Sequence, residues 1–323
     1  MGKTLSILVV VLLSAGAAWA DGSARHERIR EHFERSPRVY RSAHFVIVHD
    51  SEEDEAAARA KLLEQTYRRF AAAVRDAGLS AEGLERKLFC LLFAERSAFD
   101  RYALEVDQVD MSWSGGYYSS RTNRVALFDS GDWLPKIIAA GENEEAGGEA
   151  AMGQVASVDA AMSLAATTHE AAHQLAFNTG LQTRGVMYPL WASEGLATNF
   201  ESERPGRPFG PAHLNQTRAG DFRQAWRAGR ITPLRQFVGL TKVPTSEPMM
   251  INAVYAQAWS LFRYLYLEHP SQLGQYLRDV ADLPRGSRSA EQMRREFEDA
   301  FGSAAAVERG WLEHLREQEI IPE

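Results

Sequence analysis

Thr168-His169-Glu170-Ala171-Ala172-His173-Gln174 sets two histidines four positions apart, with a glutamate directly after the first. The stretch around it, AAMSLAATTHEAAHQLAF, is rich in alanine and free of glycine and proline, so it reads as a helix. On a helix His169 and His173 stand one turn apart on one face, where their imidazole nitrogens can grip one metal ion. Glu170 is turned about 100° around the axis. From there it can reach a water on the metal without ligating the metal, the placement of a general base. Two histidines are too few for a catalytic zinc, which takes three protein ligands and keeps one position for water. Glu194, in Leu190-Trp191-Ala192-Ser193-Glu194-Gly195-Leu196-Ala197-Thr198-Asn199-Phe200-Glu201, is the candidate third ligand. It lies 21 positions after His173, across the turn residues Asn178-Thr179-Gly180. Two neutral imidazoles and one carboxylate leave a site charge of about +1, which favours ionising the bound water. Blander readings exist: two histidines on an ordinary helix, and a glutamate favoured by a helix N-terminus.

The hydrophobic pattern predicts the elements that hold these residues. Residues 44–49 read as a short strand. Residues 52–76 read as a helix, with Ala56, Leu63, Tyr67, Phe70 and Val74 at spacings of threes and fours and Gly78 closing it. Lys87-Leu88-Phe89-Cys90-Leu91-Leu92-Phe93 reads as a buried strand, followed by a short helix near 97–104. A hairpin is predicted with arms 116–120 and 124–128 and Arg121-Thr122-Asn123 as its turn. GENEEAGGEAAMG at 141–153 is an acidic glycine-rich loop. From 159 onward the spacing is helical, near 159–178, 190–202, 213–228, 252–268, 271–281, 289–301 and 304–317. The fold class is α+β: a polar lead-in (21–42), then one domain (43–323) with a mixed α/β lobe over about 43–178 and a helical lobe over about 179–317.

At 323 residues, 45% hydrophobic and 24% charged, the chain is neither collagen-like nor disordered. A net charge of −7 argues against nucleic acid and against docking on anionic membranes. Lys3, the apolar run 5–13 and Ala18-Trp19-Ala20 form the pattern of a signal peptide cleaved after Ala20. The expectation is an exported protein, periplasmic or secreted, with no membrane insertion after cleavage. The single cysteine, Cys90, cannot form an intramolecular disulfide and sits in an apolar run, where it reads as a small hydrophobe. No pattern indicates an oligomeric state.

HEAAH followed by LWASEGLATNFE resembles the gluzincin clan of zinc metallopeptidases, the thermolysin-like and aminopeptidase-like enzymes. Closer still, the chain resembles the bacterial family called domain of unknown function 1570, loosely from about His44 to Trp311. Gly116-Tyr117-Tyr118, Asn123-Arg124-Val125-Ala126-Leu127-Phe128-Asp129 and Tyr255-Ala256-Gln257-Ala258-Trp259 add to that likeness. The resemblance implies a zincin-like fold with its cleft between the lobes. It also implies one zinc held by His169, His173 and Glu194, with Glu170 as the base. Thermolysin-like members carry an aspartate four residues after the ligand glutamate to orient a zinc histidine. Here Thr198 stands there, a weaker acceptor. The residue that orients a zinc histidine is therefore not identified; Glu201, seven residues after Glu194 and two turns along the same helix face, reads either as a support behind the ligands or as a surface residue.

Tyr255 is the candidate donor to a tetrahedral oxyanion. Yet Tyr255, Trp259, Phe262 and Tyr266 also form an aromatic stripe that packing alone explains. His213, after Pro211, reads either as a further oxyanion donor or as a surface residue. In gluzincins the edge strand of the sheet binds extended substrate by backbone hydrogen bonds. Trp113-Ser114-Gly115-Gly116-Tyr117-Tyr118 fits that role, and equally a glycine-containing turn into a strand. The expectation is an exported zinc hydrolase that cleaves peptide or protein substrates. The alternatives are a non-catalytic metal-binding or interaction protein, and a zinc hydrolase of a non-peptide bond.

Overall fold

A computed structural model describes residues 29–78, 83–111, 114–129, 134–135, 158–204, 206–244 and 246–322. The expected signal peptide, Trp113 and the 141–153 loop lie outside them.

Three apolar segments form the centre of a mixed five-stranded sheet: β2 (Phe45–His49), β3 (Leu88–Phe93) and β5 (Arg124–Phe128), parallel to one another. Antiparallel strands flank them, β1 (Arg38–Arg41) beside β2 and β4 (Gly116–Ser119) beside β5, giving the order β1-β2-β3-β5-β4. Central parallel strands are covered on both faces, which is why LFCLLF in β3 is apolar throughout. Leu88, Cys90 and Leu92 face the main core, while Leu91 and Phe93 face a smaller one built with Phe99, Tyr102 and Tyr117. Burial pushes the Cys90 thiol up to about 12. β1 lies inside the segment read from sequence as a polar lead-in. Its residues RVYR are mostly exposed, and arginines at a sheet edge discourage further pairing.

β2 and β3 are joined through α1 (Glu53–Asp76), whose first turn carries Glu53, Asp54 and Glu55, favourable at the positive end of the helix dipole. α2 (Arg96–Tyr102) runs into one π-helical turn over Ala103–Asp107. The β4–β5 hairpin turns through Asn123 at φ 58°, and asparagine tolerates that left-handed region well. At Gly116 an added Cβ would stand 2.4 Å from Leu127 Cδ2 and 3.0 Å from Ala126 O, so a side chain there would force the buried Leu127 to shift.

The remainder is helical: α3 (Val158–Asn178), α4 (Leu190–Thr198), α5 (Gln216–Arg227), α6 (Leu234–Phe237), α7 (Pro248–Glu268), α8 (Pro270–Ala281), α9 (Ala290–Phe301) and α10 (Ala304–Glu317). The four-residue α6 had no sequence signal. Prolines open α7 and α8, where a missing N–H costs nothing, and a Ser289–Gln292 capping box opens α9. Trp191 lies against Tyr276 and Phe297, and Trp311 against Phe222, with both indoles fully buried. Each large side chain so buried contributes roughly 1.5–3 kcal/mol. No helix among the described residues is long and apolar enough to cross a membrane.

Candidate metal centre

α3 is fixed on two sides before any site residue is considered. Arg59 of α1, fully buried and paired with Glu55 at 2.8 Å, donates to Ser163 Oγ at 2.7 Å and to Thr167 Oγ1. On the sheet side, Gln174 Nε2 donates to the carbonyls of Phe89 (2.9 Å) and Asn123 (3.1 Å). His169 and His173 are thereby held beneath β4 and β5 with their rings 4.9 Å apart.

α4 must fold back to meet them, and the loop before it is pinned. Val186 bridges Gly286, Arg288 Nε donates to Met187 O (3.1 Å), and Leu190 N–H donates to Leu240 O (2.6 Å). Gly195 does the rest. A Cβ there would sit 2.5 Å from Ala258 O and 2.8 Å from Phe262 Cβ, so glycine allows α4 to lie directly on α7. The residue before it, Glu194, points at the two histidines.

Three donor atoms converge. His169 Nε2 is 3.2 Å from His173 Nε2 and 3.3 Å from Glu194 Oε2, and His173 Nε2 is 3.6 Å from the same oxygen. Tetrahedral coordination with bonds of about 2.0–2.1 Å places neighbouring ligand atoms about 3.3–3.4 Å apart. The triangle has that size. His169, His173 and Glu194 could therefore bind a metal ion, and its ligand types are nitrogen and carboxylate oxygen. Glu170 does not join the triangle. Its Oε2 accepts the Tyr118 N–H of β4 at 2.7 Å, and its Oε1 is buried without a partner.

The outer face of His169 is held by an ion pair. Its Nδ1 lies 3.0 Å from Glu201 Oε1, and Arg218 grips Glu201 in bidentate fashion, Nε to Oε2 at 2.7 Å and Nη2 to Oε1 at 2.6 Å. Asn215 caps α5 by accepting the Arg218 N–H, which fixes the arginine's origin. Ser202 N–H donates to Thr168 Oγ1, tying this chain segment to α3. Two sequence expectations change here. The helix carrying Glu194 ends at Thr198, so Glu201 stands beyond it and reaches His169 from the following turn. Thr198 does not touch a histidine, because its hydroxyl donates to the Glu194 and Gly195 carbonyls of its own helix.

Burial and charge set the electrostatics together. Burial opposes a charge on His169, but hydrogen bonds to Glu194 and Glu201 overcome it and hold its pKa up at about 10. Burial pushes Glu170 up to about 8, helped by the charge of Glu194 and resisted by His169 and the Tyr118 N–H. Glu194 is held down to about 2: burial would raise it, yet the charge of His173 and the histidine hydrogen bonds prevail. Burial lowers His173. At pH 8 the centre therefore holds its histidine proton on His169, and a metal must displace it. Uptake at that pH should release at least one proton, since Glu170, itself partly protonated there, also loses proton to the metal's charge, and affinity should weaken as pH falls. Calorimetric titration in two buffers of different ionisation heat counts the protons released.

The remaining candidates divide. Tyr255 is fully buried on α7 with its ring 6.5 Å from that of His169 and its hydroxyl without a partner, among the charges of Glu194, Glu170 and Arg218. Its stripe companions pack instead; the Tyr266 hydroxyl, for example, donates to Ala73 O at 3.3 Å. Gly116, Tyr117 and Tyr118 serve the sheet and core with their side chains. Tyr117 OH donates to Asp107, Tyr118 OH donates to Asn123 Oδ1 and accepts from Arg184, and both Gly116 backbone groups engage Ser114 Oγ. His213 is exposed and does not join the centre.

Arg218 carried no signal in the sequence. An arginine in an amphipathic helix beside Asp221 has no ligand spacing to mark it, and only the tertiary fold brings it to Glu201. Arg218→Met should lower metal affinity by about 10–100-fold, the usual effect of losing an orienting partner. It should also cost about 3–5 kcal/mol, because Glu201 is left buried without its cation. Competition against a chromophoric chelator, beside a thermal melt, reads both. Unchanged affinity would remove Arg218 from the positioning of His169.

The matched segment of the chain contains every group of this centre except Tyr118. Residues 163–284 match the family described as "Protein of unknown function (DUF1570)". Over that segment the chain is similar to the family. It begins within α3 and ends after α8, so it spans His169, Glu170, His173, Glu194, Glu201, Arg218 and Tyr255, while the sheet lies outside it. Comparison with curated proteins finds no match.

Proposed function

We propose that this chain is an exported zinc-dependent hydrolase of zincin-like architecture that cleaves peptide bonds. The observation that carries the reading is the donor triangle of His169, His173 and Glu194 with Glu170 beside it, tethered by one oxygen and free at the other. A bound zinc supplies Lewis-acid polarisation of a carbonyl and acidifies water. Glu170 accepts the proton at Oε1 while the Tyr118 N–H fixes Oε2, and it later returns that proton to the leaving amine. Tyr255, with an unengaged hydroxyl, donates to the developing oxyanion. β4 stands beside the base as the edge strand on which an extended peptide would align.

Burial favours a second reading. His169, Glu170 and His173 are 0% exposed. A metal centre sealed to that degree also suits a binding protein without turnover.

The test begins with metal content of the purified protein beside a His169→Ala/His173→Ala variant, followed by a quenched fluorescent peptide library with and without chelator. About one zinc per chain, lost in the variant, and chelator-sensitive cleavage are expected. Absence of bound metal after zinc reconstitution would overturn both readings. Tight zinc with no cleavage would leave the non-catalytic one.

A further inference from the structure

We propose that the cavity behind Glu201, bounded by the 203–214 segment, binds a small carboxylate ligand with an apolar group attached, such as the C-terminal residue of a peptide. The cavity measures about 660 Å³ and is lined by Arg204, Arg207 and the imidazole of His213 on its polar side and by Phe209 and Leu214 on its apolar side. Its two acidic residues are committed elsewhere. Glu201 is held by Arg218 and His169, and Glu203 accepts the Gln216 and Thr217 N–H groups at the start of α5. The charges left for a ligand are all positive.

A second observation points the same way. Arg263 of α7 is 6% exposed, and among the described residues it has neither hydrogen bond nor ion pair. Its Nε is sealed without a partner, and burial alone acts on it, lowering its pKa. Buried arginines are almost always paired, because a solitary buried charge is costly. Arg263 stands beside this cavity. Asn199, in the cavity wall, donates to Trp259 O at 3.0 Å, and Arg263 follows Trp259 by about one turn, some 6 Å along the axis. Arg69 arrives from α1 with its guanidinium 5.9 Å from the Phe209 ring centroid. Burial and the charges of Arg69 and Arg263 together lower the pKa of His213, so its imidazole faces those guanidiniums as a neutral ring N–H donor.

The ligand class follows from the walls. A guanidinium presents paired N–H donors that match two carboxylate oxygens. Phe209 and Leu214 offer an apolar surface that a bare inorganic anion cannot use. An N-acylated amino acid with an aliphatic side chain satisfies both. This inference is independent of the hydrolase reading, since none of the metal-binding groups lines the cavity.

The experiment uses the full chain with chelator present, so that no metal competes for the carboxylate. N-acetyl-leucine, N-acetyl-leucinamide and inorganic phosphate are titrated by calorimetry. Saturable one-to-one binding of N-acetyl-leucine is expected, with none of the amide and much weaker binding of phosphate. Arg263→Met should weaken it roughly ten- to a hundredfold. Arg69→Met and His213→Gln, at more exposed positions, test the same cluster should Arg263→Met fail to fold, and each should weaken binding several-fold. Equal binding of acid and amide, phosphate binding as tight as that of N-acetyl-leucine, or affinity unchanged in the variants would each overturn the proposal.

Discussion

Glu170→Gln is expected to keep its metal and lose turnover by about 10²–10⁴-fold. The substitution preserves shape, and the amide oxygen of glutamine can still accept the Tyr118 N–H that Glu170 now holds. What it removes is the capacity to take a proton at the buried, unpartnered Oε1. The metal donors are untouched, because Glu170 lies outside their triangle. Metal content per chain and the rate on the best library peptide, measured on one preparation, separate the two effects. A variant with full metal and full rate would take Glu170 out of the chemistry.

Glu194→Ala is the complementary case. It should cut metal affinity by more than about 100-fold, beyond the range seen when only an orienting partner is lost. It deletes one of three donors and leaves two imidazoles whose ring nitrogens are 3.2 Å apart. It also removes the carboxylate that, with Glu201, holds the proton on His169, so the metal-free variant should bind that proton less tightly. Competition with a calibrated chelator reads the affinity, and tight zinc binding by the variant would end the assignment of Glu194 as a ligand.

The centre was legible in sequence to the extent that it is local. HEAAH declares its geometry through helical periodicity alone, and Glu194 could be named because a metal with two histidines needs one more donor. The central strands declared themselves through runs such as LFCLLF, and the hairpin through its turn residues. What escaped depends on how distant segments meet. β1 escaped because RVYR at an exposed edge lacks an apolar face. The end of α4 was misread because Ala, Thr, Asn and Phe at 197–200 continue a helical pattern that the Asn199 cap stops. Arg218 escaped because its role is set by Glu201, 17 positions away, with no spacing rule to join them. The cation cluster around Arg263 escaped for the same reason, since α1, α7 and the 203–214 segment meet only in the folded chain.

The lone thiol of Cys90 has a practical consequence. It sits in the middle strand of the sheet, fully buried between β2 and β5, with its pKa pushed up to about 12. Thiolate is the reactive form, so in the closed protein Cys90 is doubly protected, by access and by protonation. Labelling by a thiol reagent then proceeds only through opening of the sheet, and its rate is a clock for that opening. The same silence makes the chain a ready background for reporters: a cysteine introduced at any exposed position would be the only one to react, with no native thiol to remove first.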